Sequence, residues 1–278
     1  MPEPGDSVSI ALIGCGNMGG ALLRAWLKTR IDASFTIISP HSASHDFGSD
    51  RRIKARYESL ESVPGSAHKP DYCVVAVKPQ NLEEIGPHLD KICSPSTCVI
   101  SILAGTTISR VISFLSNDQP AIRVMPNTPA SIGAGITAMV AGAHCSAAHR
   151  ELTETLFQAA GKIVWLDDEE LMNAATAVSG SGPAYFFAFV EALAEAGRDA
   201  GLPAETAEKL ARQTCTGAAA LLDEEQGRGA AALRRAVTSK GGTTEAALAA
   251  LLENDKGLFP LIRKTVHAAR QRAEHLAE

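Results

Sequence analysis

The sequence predicts an α/β chain: a doubly wound, mostly parallel sheet in the first half, followed by an all-helical second half. Three observations predict it. Short β-branched runs alternate with helical stretches over roughly the first 150 residues. Those runs are almost continuously apolar, as strands covered on both faces must be. Beyond Glu151 the strand signal nearly disappears. A chain of 278 residues is long for one domain, and the change of habit divides it into 1–166 and 167–278.

The expected strands are VSIALI (8–13), FTIIS (35–39), DYCVVAV (71–77), TCVISIL (97–103) and AIRVM (121–125). Between them GGALLRAWLKTR (19–30) and TISRVISFLS (107–116) read as helices, so the unit is βαβ. KIVWL (162–166) is the one strand signal of the second half. Helices are then expected over 168–179, 183–199, 203–222, 229–238, 243–253 and 256–275. Pro183 and Pro203 suit first-turn positions and Gly201 suits a C-terminal stop. The acidic run Asp167–Glu170 is expected to cap its own helix start, where the dipole favours carboxylates. The segment PAYFFAFVEALAEAGRDAG is apolar around most of its circumference and needs burial on all sides. In a small helical domain a partner subunit is the expected source, which points to a homodimer.

With 45% hydrophobic and 21% charged residues and a net charge of -5, the composition is globular, with no basic footprint for nucleic acid or an anionic membrane. No apolar run approaches the ~18 residues a membrane span requires. The start MPEPGDSVSI lacks the basic opening of a signal peptide, so the cytoplasm is the expected location. Six cysteines are scattered without a C-x-x-C pair and are expected to be reduced and mostly buried. His41 and His45 are four apart with no third ligand in view, so no metal is expected.

GCGNMG (14–19) fits G-x-G-x-x-G and lies between a buried strand and a helix, the context a Rossmann-type dinucleotide loop demands. Gly14 allows the tight turn, Gly16 lets backbone approach a pyrophosphate, and Gly19 lets helix pack on strand. Asn17 and Met18 open the helix, whose free N–H groups favour phosphate. At the end of the second strand the chain reads FTIISPHSAS, with Ser39 where an NAD-binding fold places a carboxylate. Ser39, Ser42 and His41 suit a 2′-phosphate, so NADPH is expected ahead of NADH, which stays possible if Asp46 takes the acid's role. Three further strand ends are expected to meet the cofactor. They are VVAVKPQ with Ala76, Val77, Lys78 and Pro79, LAG with Ala104 and Gly105, and RVMPNTPA with Asn127. Lys78 there suits either the cofactor or an acidic substrate.

A second glycine turn, TSKGGTTEAAL (238–248), opens a helix near the C-terminus. Its hydroxyls at Thr238 and Ser239, backbone at Gly241 and Gly242, and helix start at Thr243 and Thr244 suit a carboxylate. A plain helix cap is the structural alternative. Taken with GCGNMG, AVKPQ, RVMPNTPA and SGSGPAY (179–185), the sequence closely resembles Δ1-pyrroline-5-carboxylate reductase over nearly its whole length. That resemblance implies NAD(P)H-dependent reduction of a cyclic imine to L-proline, with a helical C-terminal domain interlocking two subunits, some of them built into larger rings. It further implies that Thr244 hydrogen-bonds the ring nitrogen and that backbone from Ser239 to Thr243 holds the substrate carboxylate. Glu225 matches a family glutamate at the pocket rim, though loop length differs and a solvated charge explains it equally. Lys240 stands where the family's loop usually carries proline.

An iminium is already electrophilic, so positioning suffices where a ketone would need a strong acid. The related 3-hydroxyacid dehydrogenases use a lysine on the long helix, and no lysine occurs between Leu171 and Arg198. A related imine or 3-hydroxyacid oxidoreductase remains the second enzymatic reading. A non-catalytic NADP-sensing protein is the third, and it would need only the first glycine turn.

Overall fold

The computed structural model describes residues 7–40, 47, 49–115 and 118–275. Two compact units emerge: residues up to Ser181 together with the C-terminal end from Ala269, and residues Gly182–Ala268.

In the first unit eight strands form one sheet: β1 (Val8–Ile13), β2 (Ala33–Ile38), β3 (Ile53–Tyr57), β4 (Tyr72–Val75), β5 (Cys98–Ser101), β6 (Ala121–Met125), β7 (Gly135–Ala141) and β8 (Gly161–Trp165). Their order is β3-β2-β1-β4-β5-β6-β7-β8. The first six follow the dinucleotide-binding order 3-2-1-4-5-6. Every neighbouring pair is parallel except β6 and β7, where Ile122 faces Ala141 and Met125 faces Ala138. The connection from β6 to β7 is too short for the crossover that a parallel pair requires. The central strands are buried on both faces. Ile10 and Leu12 enter one core with Trp26, Phe35 and Phe157, while Ala11 and Ile13 enter the other with Val75, Leu89 and Val99.

Helix α1 (Asn17–Lys28) follows β1, and buried Trp26 anchors it. The Trp26 indole stacks on Phe35 at 5.7 Å and donates Nε1–H to the Leu156 carbonyl at 2.9 Å. The remaining helices of this unit are α2 (Leu82–Ile85), α3 (Ile108–Ile112), α4 (Ala147–Gln158) and α5 (Leu171–Ala175). The segment expected as one helix over 168–179 is instead α5 followed by a π-turn over Thr176–Gly180. The acidic run does not cap α5 as expected: its N-cap, Glu170, makes no side-chain cap hydrogen bond, Asp168 accepts the Glu170 N–H, and Glu169 reaches across to α3 and β6.

The second unit contains α6 (Gly182–Asp199), α7 (Ala204–Glu224), α8 (Ala230–Ala236) and α9 (Thr243–Leu251), and most of α10 (Leu258–His275). Pro183 occupies the first turn of α6, whereas Pro203 stands one place earlier than expected, as the N-cap of α7. Gly201, with φ +99°, makes the reversal between them, and small residues Ala194, Ala207 and Ala211 bury the α6–α7 seam. Outside that seam α6 leaves Phe186 and Phe187 66% and 68% exposed in the single chain. No helix among the described residues is long and apolar enough to cross a membrane.

Candidate active site

The cofactor loops expected from the sequence all lie at the carboxyl ends of the central strands. Gly14 follows β1, Ala76–Pro79 follow β4, Ala104 and Gly105 follow β5, and Asn127 follows β6. That is where ligands enter open α/β sheets. The three glycines of GCGNMG have different surroundings. Gly14 has φ +90°, and a Cβ there would stand 2.6 Å from the Ala76 carbonyl oxygen and 2.8 Å from Val77 N. A Cβ on Gly19 would come 2.1 Å from the Gly14 oxygen. At Gly16, the N-cap of α1, an added Cβ meets nothing within 4 Å. Gly14 and Gly19 are thus demanded by the protein's own packing, while the space above Gly16 is open. An open volume on a glycine at a helix N-terminus fits the pyrophosphate of a dinucleotide.

Ser39 is buried at the end of β2, its N–H bonded to the Tyr57 carbonyl at 2.9 Å. His41, Ser42 and Asp46, weighed for the ribose, lie outside the described residues. Two residues that sequence reasoning missed stand nearby. Arg24 on α1 and Arg56 on β3 carry their guanidinium carbons 6.0 and 5.8 Å from the centre of the Phe47 ring. Both guanidinium charges are felt at Cys15, the middle residue of the glycine turn, although burial dominates there and pushes the thiol up to about 11. Cys15 is therefore a neutral thiol in this loop and no nucleophile. The signal that points to Arg56 is the alternation in IKARY, a strand absent from the sequence-based expectations.

Lys78 is exposed and begins the turn Pro79–Asn81. Gly105 is buried with φ +72°. Asn127 is buried and bridges two elements. Its Oδ1 accepts the Ile136 N–H at 3.0 Å and its Nδ2 donates to the Ser179 carbonyl at 3.1 Å. One Nδ2 hydrogen is then left for a ligand. Ser179 belongs to the π-turn, a distortion frequent at functional sites, so SGSGP is tied to the end of β6.

In the helical unit, Gly241 has φ +72° and Gly242 is the N-cap of α9. The Gly242 N–H turns back to the Ser239 carbonyl at 3.0 Å. The Gly241 N–H donates to Oε2 of Glu245 at 2.7 Å, so this turn already holds a carboxylate, the protein's own. Thr243 and Thr244 occupy the first two positions of α9, their N–H groups at the positive end of the helix. Lys240 is exposed. Glu225, at the C-terminal cap of α7, pairs with Arg228 at 2.8 Å.

Comparison with known proteins follows the same division. Residues 169–276 match the family described as pyrroline-5-carboxylate reductase dimerisation, and residues 9–105 match NADP oxidoreductase, coenzyme F420-dependent. The chain is 38% identical over 275 residues to a pyrroline-5-carboxylate reductase of Pseudomonas aeruginosa, covering 97% of each. Among solved structures it is similar to a pyrroline-5-carboxylate reductase of Coxiella burnetii, with a TM-score of 0.88 at 32% identity, covering 98% of this chain and 100% of that one. It also shares its fold with the Plasmodium falciparum pyrroline carboxylate reductase solved with NADP bound, at a TM-score of 0.79, 24% identity and 98% coverage of both.

Proposed function

Because the chain belongs to the pyrroline-5-carboxylate reductase family, we propose that its two glycine turns divide the work of one reaction. That reaction is the reduction of 1-pyrroline-5-carboxylate to L-proline with NAD(P)H, the last step of proline biosynthesis. Bound along GCGNMG and the loops after β4, β5 and β6, the reduced nicotinamide supplies the hydride. This chain's residues bind and orient. Gly14, Gly16, Asn17, Met18 and Gly19 receive the pyrophosphate, while Ala76–Pro79, Ala104, Gly105 and Asn127 line the remainder. The α9 turn takes the substrate: backbone from Ser239 to Thr243 holds its carboxylate and the Thr244 hydroxyl holds the ring nitrogen, with Glu225 at the rim. What supports this assignment is that the Gly241 N–H already takes a carboxylate oxygen, that of Glu245, which the substrate's carboxylate would replace.

The decisive experiment is NADPH consumption with pyrroline-5-carboxylate; absence of turnover at every pH overturns the reading. Thr244→Ala should lower kcat/KM about 30-fold, close to 2 kcal/mol of transition-state stabilisation, with an unchanged melting temperature. Wild-type kinetics in that variant would remove Thr244 from the chemistry.

We further take NADPH as the preferred cofactor. Support comes from the lack of an acid at Ile38–Pro40 and from the two guanidinium groups beside the glycine turn. Arg24→Ala with Arg56→Ala should raise the KM for NADPH about tenfold and leave that for NADH nearly unchanged. Equal losses with both cofactors, or a wild-type preference for NADH, refute it.

Residues 1–166 are taken as the cofactor domain and 167–278 as the substrate-binding and dimerisation domain, working in the cytoplasm as a homodimer or a larger assembly of dimers. The exposed Phe186, Phe187 and Phe189 of α6 support self-association, since soluble monomers rarely expose such contiguous apolar patches.

A further inference from the structure

Three residues with no place in the reductase reaction converge at the opposite end of the sheet from the cofactor loops. Cys98 begins β5, Cys145 sits in the turn between β7 and α4, and His149 lies in the first turn of α4. Their two sulfur atoms and one imidazole nitrogen all fall within 4.8 Å of one another. The Cys145 thiol also reaches the carbonyl of Ala121, the first residue of β6, at 3.1 Å, which fixes the turn against the sheet. The His149 Nδ1 accepts the Ser146 N–H at 3.2 Å, leaving Nε2 for another partner. Tyr72 meets the imidazole edge-on at 5.9 Å and limits its swing.

We propose that Cys98 Sγ, Cys145 Sγ and His149 Nε2 form a binding site for a thiophilic divalent cation of the Zn2+ class. Two thiolates and one imidazole are a donor set suited to zinc, which favours about 2.3 Å to sulfur and about 2.0 Å to nitrogen in a tetrahedron. Tetrahedral donors then stand somewhat under 4 Å apart, so the three groups must draw in by about an ångström. Zn2+ displaces the two thiol protons to solvent, and the resulting pair of thiolates with a neutral imidazole leaves a site of zero net charge. That balance suits a pocket where Cys98 is buried and the other two are half-buried. Coordination through Nε2 moves the ring proton to Nδ1 and gives up the Ser146 N–H contact. The other half of that cap, His149 N–H to Ser146 Oγ, survives. No fourth His, Cys, Asp or Glu among the described residues joins the cluster, so water completes the tetrahedron.

The site would clip the β7–α4 turn to the amino-terminal edge of the sheet, remote from hydride transfer. Its occupancy would therefore be read in stability and not in turnover.

The test uses the full chain, reduced and freed of metal, titrated with Co2+ as the spectroscopic probe and then with Zn2+. One Co2+ per chain should bind with a thiolate-to-cobalt charge-transfer band and the visible spectrum of a tetrahedral ion, and Zn2+ should bleach both. Zn2+ at about a hundredfold excess over its dissociation constant should raise the melting temperature by roughly 5 °C. Cys145→Ser and His149→Gln should each abolish the charge-transfer band or weaken binding at least about 100-fold, whereas Cys215→Ser should bind as wild type. His149→Gln lies at the half-buried helix start and guards against a folding failure in the cysteine variant. Absence of the band in the wild type, or wild-type Co2+ affinity in either Cys145→Ser or His149→Gln, overturns the proposal.

Discussion

Gly16→Ala should leave the protein folded and strip it of its cofactor. The backbone at residue 16 has φ -80° and ψ -154°, which alanine adopts without strain, and an added Cβ meets no protein atom within 4 Å. Stability should therefore fall by no more than about 1 kcal/mol, the cost of replacing glycine by the poorer cap alanine at a helix N-cap. The methyl group instead fills the space through which pyrophosphate approaches the first N–H groups of α1. A loss of about 100-fold in cofactor affinity, near 3 kcal/mol, is the expected result. Gly19→Ala is the contrasting control. Its Cβ would stand 2.1 Å from the Gly14 oxygen, so helix and strand must part and the melting temperature should fall with binding. Binding isotherms and melting curves on the two variants separate a ligand-shaped space from a packing requirement. Gly16→Ala binding NADPH as tightly as wild type would show that the cofactor does not approach over this residue.

Glu169→Ala should destabilise the fold more than Gly16→Ala, Thr244→Ala or Arg123→Met. Arg123, on the internal strand β6, is only 2% exposed and relies on one carboxylate. Its Nη1 donates to Glu169 Oε1 at 3.0 Å, while its Nε and Nη2 have no partner. The same Glu169 oxygen accepts the Ile108 N–H at 2.8 Å, a first-turn group of α3 that the Thr107 cap leaves free. Removing the carboxylate leaves a buried cation uncompensated and the Ile108 N–H of the first α3 turn without its partner, a loss of about 3 kcal/mol or more. The cost of Arg123→Met should be smaller, because Glu169 is partly exposed and can be hydrated. In the double variant Arg123→Met with Glu169→Ala, most of the Glu169→Ala loss should be recovered, since no buried charge is left unpaired. Denaturant melts of the four proteins check the cycle; additive single losses would mean that the two side chains do not depend on each other. The effect should also reach the site. Asn127 follows β6 and holds the Ser179 carbonyl, so loosening the junction of β6 and α5 should raise the cofactor KM as well.

Several elements were legible because their determinants are local. VSIALI and AIRVM match β1 and β6 residue for residue, since a strand buried on both faces shows as an unbroken apolar run. The helices after Gly182 follow their own periodicity, and the two glycine turns follow from steric needs within a few residues. The misses have equally physical causes. IKARY is a five-residue edge strand with Lys54 and Arg56 turned outward, too short and too charged to separate from a loop. GITAMVA opens on glycine and is rich in small residues, and it holds its place through backbone pairing with β6 and β8. Helix α4 starts on a capping box in which His149 fills the position usually taken by Glu or Gln, so the usual signature is missing.

By itself, then, the sequence determined the order of the elements, the two glycine turns expected to take a dinucleotide and a carboxylate, and the family to which these belong. Only the tertiary structure decided which distant side chains meet. Arg24 and Arg56 come to one ring, Arg123 finds Glu169, and Cys98, Cys145 and His149 gather at one edge. The reason is geometric. A turn's conformation is set by sterics among adjacent residues. Which strands lie side by side is set by burial of the whole sheet, and spacing along the chain does not record it.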